Sequence, residues 1–242
     1  MTIELAKLRV VSLLLLTSLG SAFLASGGRP SAGRLVLLLV LGTFSAGGAS
    51  ALNQFLEREP DQFMKRTRRR PLPSGRVRHP EWVLRLGVAA VLGAVPVAIP
   101  FSPWLAVFLG AGALIYVGIY TLWLKPRSVL NIVIGGAAGS CAVLAGSAAV
   151  GEPFHPAAVA LALLVFVWTP ARFWALAMTM QADYRAAGVP MLPARAPNPT
   201  SARWIAVHVA VAVGQNCCWP LNPPWAGSTS LPSWPPRRPF AC

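Results

Sequence analysis

The chain has 242 residues, 55% of them hydrophobic and only 12% charged, and its mean hydropathy is positive, which excludes a soluble globular domain of this size and leaves a polytopic membrane protein. Its formal net charge of +14 does not point to nucleic acid. A nucleic-acid binder spreads basic residues over a soluble fold with interleaved aromatics, whereas here they sit in short loops between apolar runs.

The first apolar run, 10–26, follows Lys7 and Arg9 and has small residues near Ala25, as a signal peptide would. It is long for a signal-peptide core and five more runs follow, so it reads as a transmembrane helix. Those runs, at 35–56, 83–99, 104–124, 129–150 and 157–180, are each near the ~20 residues that cross a bilayer as a helix. Basic residues precede the first run and follow the second (65–78), the fourth (Lys125, Arg127) and the sixth (Arg185, Arg195). The loops near Pro100 and Glu152 are almost uncharged, with Arg29 and Arg34 the exceptions on that side. By the positive-inside rule the N-terminus and the basic loops are cytoplasmic, which predicts a multi-pass protein of the inner (cytoplasmic) membrane.

Small residues recur inside the spans, as at 46–51 and 135–139, where they permit close helix packing in lipid. Trp82, Trp104, Trp123 and Trp204 stand near span ends, where an interfacial belt accounts for them. A seventh apolar run is cut short by a proline-rich end. The expected organisation is a transmembrane domain over 1–200, an incomplete seventh span over 201–214, and an aberrant, disordered Pro/Trp/Ser-rich tail over 215–242. Cys141 lies in a span and Cys217, Cys218 and Cys242 lie in the tail, giving neither metal-ligand spacing nor a disulfide framework. His79, His155 and His208 are read as structural or solvated rather than as ligands.

Chemistry concentrates at the end of the second run. Asn53, Glu57 and Asp61 are spaced by four, so on a continuous helix they would share one face. Pro60 predicts that the helix bends or ends near Arg58, with Asp61 in the following loop but still around the same cavity. An acid at mid-membrane costs about 2.5 to 3.5 kcal/mol and less near the ends, so it faces a polar cavity or a partner. Mg²⁺ is such a partner, because it takes carboxylate oxygens together with substrate phosphates. Spacing alone leaves a second reading open, in which Glu57, Glu59 and Asp61 merely neutralise Arg58 and Lys65 in a solvated loop. The run Lys65, Arg66, Arg68, Arg69, Arg70 is likewise a topogenic signal whatever else it does.

The pattern N-x3-E-x3-D-x2-M-x-R-T-x2-R-P-L over 53–72 resembles the first acidic motif of the UbiA superfamily of intramembrane prenyltransferases. The stretches Y-T-L-W-L-K (120–125), N-I-V-I-G-G-A-A-G (131–139), W-T-P-A-R-F-W-A-L-A (168–177) and D-Y-R-A-A-G-V-P-M-L-P (183–193) are similar to its protoheme IX farnesyltransferase branch, the heme O synthases. The similarity runs from about residue 4 to residue 193, and the tail beyond about residue 213 is outside it.

That resemblance implies an all-α, UbiA-like transmembrane bundle, here with six clear spans and a partial seventh where the family has about nine, so that a truncated bundle wall and impaired activity are expected. It implies two acidic motifs facing each other across a central cavity. Asn53, Glu57 and Asp61, with Asp183 from the second motif, would hold Mg²⁺ and carry catalysis. Arg66, Arg70 and Lys125 would grip the diphosphate. The implied partners are farnesyl diphosphate, protoheme IX, the lipid bilayer and, among proteins, heme A synthase or oxidase assembly partners. The chain departs from the family pattern twice: Arg172 replaces a histidine, and Ala182 replaces one of two adjacent acids before Tyr184. Arg172 would add a diphosphate contact or remove a heme contact. Two rival readings stand beside this one: a prenyltransferase with an aromatic quinone-precursor acceptor, and a multispan transporter or scaffold whose acids serve an ion pathway.

Overall fold

A computed structural model describes residues 7–65 and 67–217, and every regular element among them is helical. In chain order these are α1 (Leu8–Ala25), α2 (Ala32–Leu56), a 3₁₀ turn (Pro60–Phe63), α3 (Glu81–Ala98), α4 (Pro103–Leu124), α5 (Asn131–Ala149), α6 (Pro156–Thr179), the short α7 (Gln181–Ala186) and α8 (Leu192–Arg195), and α9 (Asn198–Cys217). Helices α2 to α6 are each long and apolar enough to cross a membrane. The apolar stretch of α1, Arg9–Ala25, is shorter, and the chain enters that helix at Lys7, which sits in a left-handed conformation. Of the six expected spans, five therefore meet both criteria by themselves. Helix α9 runs on either side of the 201–214 expected for a partial span and is not among the five. The expected tail, with Cys218 and Cys242, lies outside the described residues from 218 onward.

The element boundaries follow from local chemistry. Proline opens α4 and α6, where its missing N–H costs nothing. The Ser102 hydroxyl accepts the Leu105 N–H at 3.3 Å, and the His155 ring accepts the Ala157 N–H at 3.3 Å, so His155 has a capping role. Pro170 lies inside α6, where it removes a backbone hydrogen bond.

Helix α2 packs most extensively on α3, α1 and α4 pack on α5, and α9 packs against α6. The α2–α3 crossing is a contact between two glycines. A β-carbon on Gly48 would lie 2.8 Å from the Gly87 carbonyl oxygen, so only glycine allows this approach. At the α1–α5 crossing a β-carbon on Gly146 would collide with the Ser18 carbonyl, and the Ser18 hydroxyl donates to the Ala142 carbonyl at 2.6 Å. The packed interior is made of Leu38, Leu105, Val143 and many alanines. Large apolar side chains such as Leu16, Val36, Leu86 and Leu92 stay exposed, as lipid-facing surfaces require. Trp82, Trp104, Trp123 and Trp204 are exposed too. The C-terminal ends of α2, α4 and α6 gather at one end of the bundle with the start of α1, and that end holds the polar residues.

Candidate functional site

The last turns of α2 deliver Asn53 and Glu57 to one side, since Glu57 N–H still bonds to the Asn53 carbonyl at 2.9 Å. The helix stops at Leu56, and Pro60 starts the 3₁₀ turn. Asp61 N–H donates to the Glu57 carbonyl at 2.9 Å, and the Thr67 hydroxyl donates to the Asp61 carbonyl at 2.9 Å. The bend expected at Pro60 is thus present, and it keeps Asp61 beside the helical pair. Asn53, Glu57 and Asp61 are 1%, 6% and 4% exposed. Burial this deep demands partners, because an unpaired buried carboxylate is far more costly than a paired one.

Each of the three has a cation. The Lys7 ammonium donates to Asn53 Oδ1, Lys125 Nζ to Glu57 Oε1 at 2.5 Å, and Arg70 Nη1 to Asp61 Oδ2 at 2.7 Å. The Asn53 amide nitrogen donates to Thr121 Oγ1 at 3.0 Å, fixing the orientation that offers its oxygen to Lys7. The cations therefore reach the motif from three different places in the chain: the entrance of α1, the end of α4 and the basic loop.

Lys125 and its neighbours owe their positions to an unusual winding of α4. From Leu114 to Leu124 the helix is π-helical. The Lys125 N–H bonds to the Tyr120 carbonyl at 2.8 Å, and the Thr121 hydroxyl donates to the Tyr116 carbonyl at 2.7 Å. A π segment widens the turn by about one residue and is frequent at functional sites. Here it sets Tyr116, Tyr120, Thr121 and Lys125 toward α2. The Tyr116 and Tyr120 rings stack with centroids 5.9 Å apart, and the Tyr116 hydroxyl lies 3.5 Å from Lys7 Nζ.

Burial pushes the Glu57 carboxyl up, but the ammonium groups of Lys125 and Lys7 outweigh it and hold the group below the usual carboxylate value. For Lys125 burial acts downward, while Tyr120 and Glu57 more than offset it and raise the ammonium above its ordinary value. Lys7 goes the other way: burial, reinforced by Arg70 and Lys125 and opposed by Glu57, lowers it to about 8. Glu57 and Lys125 form a firm ion pair, whereas Lys7 sits near its titration point.

All of these groups open onto one cavity of about 410 Å³. Its far walls are apolar, formed by residues such as Leu14, Leu38, Phe108, Ala145 and Val165, and its polar end holds Lys7, Asn53, Glu57, Asp61, Arg70 and Lys125. Arg172 of α6 lines the same cavity, with its guanidinium 5.0 Å from the Trp168 ring centroid. Asp183 is not brought to this wall. It is half-buried on α7, next to Tyr184, which does line the cavity. Ala182 beside it is exposed. Arg66 lies outside the described residues. His79 faces Glu81 at 3.6 Å, and His208 packs edge-on against Trp174, so neither reaches the site.

Among the described residues no three His, Cys, Asp or Glu side chains converge as a metal-binding group. Two buried carboxylates and an amide oxygen at the head of a cavity are instead the donor set that suits Mg²⁺ when substrate phosphates complete the shell. Lys7 and Tyr116 have no site signal in the sequence, and Tyr120 and Thr121 are marked there only as part of the stretch 120–125. A lysine before an apolar run reads as a topology signal, and no composition rule announces a π segment.

The profile of the UbiA prenyltransferase family matches residues 13–235. That match reaches past residue 193, where the motif resemblance ends, and into the tail beyond about residue 213 that was expected to lie outside it. A protein named protoheme IX farnesyltransferase from Symbiobacterium thermophilum is 46% identical over 191 residues, covering 79% of this chain and 64% of that protein. One of the same name from Metallosphaera sedula is 41% identical over 210 residues, covering 87% and 73%. The chain thus spans about two thirds of the length of these relatives. Among solved structures, a UbiA homolog from Archaeoglobus fulgidus bound to DMAPP and Mg²⁺ superposes with a TM-score of 0.68 at 17% identity, covering 88% of this chain and 75% of that one. At that identity the likeness speaks for the fold.

Proposed function

The chain belongs to the UbiA prenyltransferase family, and from that premise we propose that it transfers a farnesyl group from farnesyl diphosphate to the 2-vinyl group of protoheme IX, giving heme O. The observation that carries this reading is the set of three buried oxygen donors, each matched to a cation, at the head of an apolar cavity. A cavity of about 410 Å³ is within the ~300–1,000 Å³ of small-molecule sites. The names of the relatives supply the acceptor and the prenyl group.

In this reading Asn53, Glu57 and Asp61 hold Mg²⁺, with Asp183 the remaining candidate from the second motif. Bound there, Mg²⁺ neutralises charge on the diphosphate as it leaves. The three cations are at present bonded to the same oxygens that would serve the metal. With a metal-bound diphosphate in the cavity, Asn53, Glu57 and Asp61 would hold the metal, and Lys7, Arg70 and Lys125 would be free to pair with the phosphate oxygens. Arg66 belongs by motif to the same group. Donors already in place around the leaving group stabilise the charge that grows on it, without a covalent intermediate. The apolar walls keep water from the allylic cation left behind. The basic loops and the N-terminus lie on the cytoplasmic side of the inner membrane, so the diphosphate site opens toward that compartment.

The test is thermal denaturation of the purified protein in detergent with farnesyl diphosphate and Mg²⁺. A ligand at 100 times its Kd stabilises by about 2.7 kcal/mol, so a clear upward shift is expected with both together. No shift at saturating concentrations would favour the transporter or scaffold reading.

A further inference from the structure

Charge is scarce within the five spanning helices. Arg34 and Arg85 stand two and four residues inside their helices, near the boundary. Arg172 alone stands deep, sixteen residues after Pro156 and seven before Thr179, about 10 Å from the nearer helix end at 1.5 Å per residue. A charged side chain at that depth is costly and calls for a partner. The other cations of the cavity have one: Lys7 has Asn53, Arg70 has Asp61 and Lys125 has Glu57. Among the described residues Arg172 pairs with no acid, and its guanidinium lies over the face of Trp168.

Arg172 is also exposed along the cavity wall rather than packed away, as are its neighbours Trp168 and Phe173. The wall at this point therefore combines two aromatic surfaces with one unmatched guanidinium. That is the complement of a flat, apolar molecule with a carboxylate at its edge: the aromatics take the face, and the guanidinium takes the acid through a charge-assisted, bidentate pair. A diphosphate fits this position less well. Its cations and its oxygen donors for the metal are bonded to one another at the end of α2, whereas Arg172 of α6 joins none of those pairs and lies beside aromatic rings.

We propose that Arg172 binds a propionate of the acceptor, and that this pair, with Trp168 against the macrocycle, orients protoheme IX in the cavity. Protoheme IX carries two propionates on one edge and its vinyl groups away from it, so fixing a propionate at Arg172 turns the 2-vinyl group inward toward the farnesyl donor. Arg172 acts as a specificity-determining residue and takes no part in bond making. The inference rests on the acceptor assigned above, and it selects among porphyrins by their acid groups.

The experiment compares wild type, Arg172→Gln and Arg172→Lys with two acceptors, protoheme IX and its dimethyl ester, by transfer kinetics and by absorbance titration of the heme without farnesyl diphosphate. A charge-assisted hydrogen bond contributes about 1.5–3 kcal/mol, or roughly 10- to 100-fold. Wild type is expected to bind protoheme IX at least ~10-fold more tightly than the diester. R172Q should raise the Kd and KM for protoheme IX to the level of the diester while leaving the KM for farnesyl diphosphate within about twofold, and R172K should recover part of the preference. Equal binding of acid and ester by wild type would overturn the proposal. So would an R172Q effect that falls on the KM for farnesyl diphosphate. If wild type binds Mg²⁺ and inorganic diphosphate but shows no protoheme binding, the acceptor assignment itself fails and takes this proposal with it. If transfer to protoheme proceeds but R172Q binds it as wild type does, only the role of Arg172 falls.

Discussion

Lys125 and Glu57 form a buried pair at 2.5 Å, and removing one partner leaves the other charged and unsolvated. Lys125→Met is expected to destabilise the protein by about 3–5 kcal/mol, seen as a lower melting temperature in detergent, and Glu57→Gln added to it should restore part of the loss. Equal or additive losses would mean that the pair is not coupled. Lys7 gives a pH signature. Its folded value of about 8 lies below the ordinary 10.5, so between those values the unfolded chain holds the proton more firmly. Stability attributable to Lys7 therefore rises with pH through that window. Affinity for inorganic diphosphate with Mg²⁺ runs the opposite way, falling above pH 8 as the ammonium is lost, and a Lys7→Met variant should be weaker and flat over the same range. At this scale the sequence is legible where spacing encodes geometry. Asn53, Glu57 and Asp61 announce a shared cavity because four residues make one helical turn, and Pro60 announces the bend. Lys7 is silent, because its role comes from which helix it meets.

The helices themselves are the most legible feature. Hydropathy averaged over a whole span tolerates local exceptions, so the apolar runs at 35–56 and 104–124 match α2 and α4 within a few residues. What hydropathy does not carry is how a helix is wound, since i→i+5 and i→i+4 bonding use the same residues. The π segment that presents Tyr116 and Lys125 is therefore a structural finding. Helix contacts are partly readable: small residues within spans predict close packing, but which ones meet is decided by the crossing. Gly146→Ala should force α1 and α5 apart at the Ser18 carbonyl, at an overpacking cost of about 1–3 kcal/mol. Gly47→Ala, one residue from the α2–α3 contact, has open space for its methyl group and should be neutral or slightly stabilising. Thermal denaturation of the two variants side by side checks this, and equal effects would contradict the assigned crossing.

For the molecule as a whole, the fold class and the first acidic motif are readable from the chain, and the apposition of the second motif is not. Asp183 has the right sequence neighbours but stands on α7 away from the cavity wall. The coupling between metal and substrate follows from this arrangement. With Asn53 Oδ1, Glu57 Oε1 and Asp61 Oδ2 each held by a cation, Mg²⁺ alone should bind weakly, and inorganic diphosphate should raise its affinity at least ~10-fold by drawing those cations away. Calorimetric titration of Mg²⁺ with and without diphosphate reads that coupling, and independent binding would contradict the exchange of partners. The most direct measurement is mass spectrometry of the heme product after incubating the purified protein with farnesyl diphosphate, Mg²⁺ and protoheme IX, alongside Asp61→Ala. Heme O formed by the wild type and lost in the variant is the predicted result. Wild-type protein that binds both substrates yet makes no heme O, or a variant that makes as much, would contradict it.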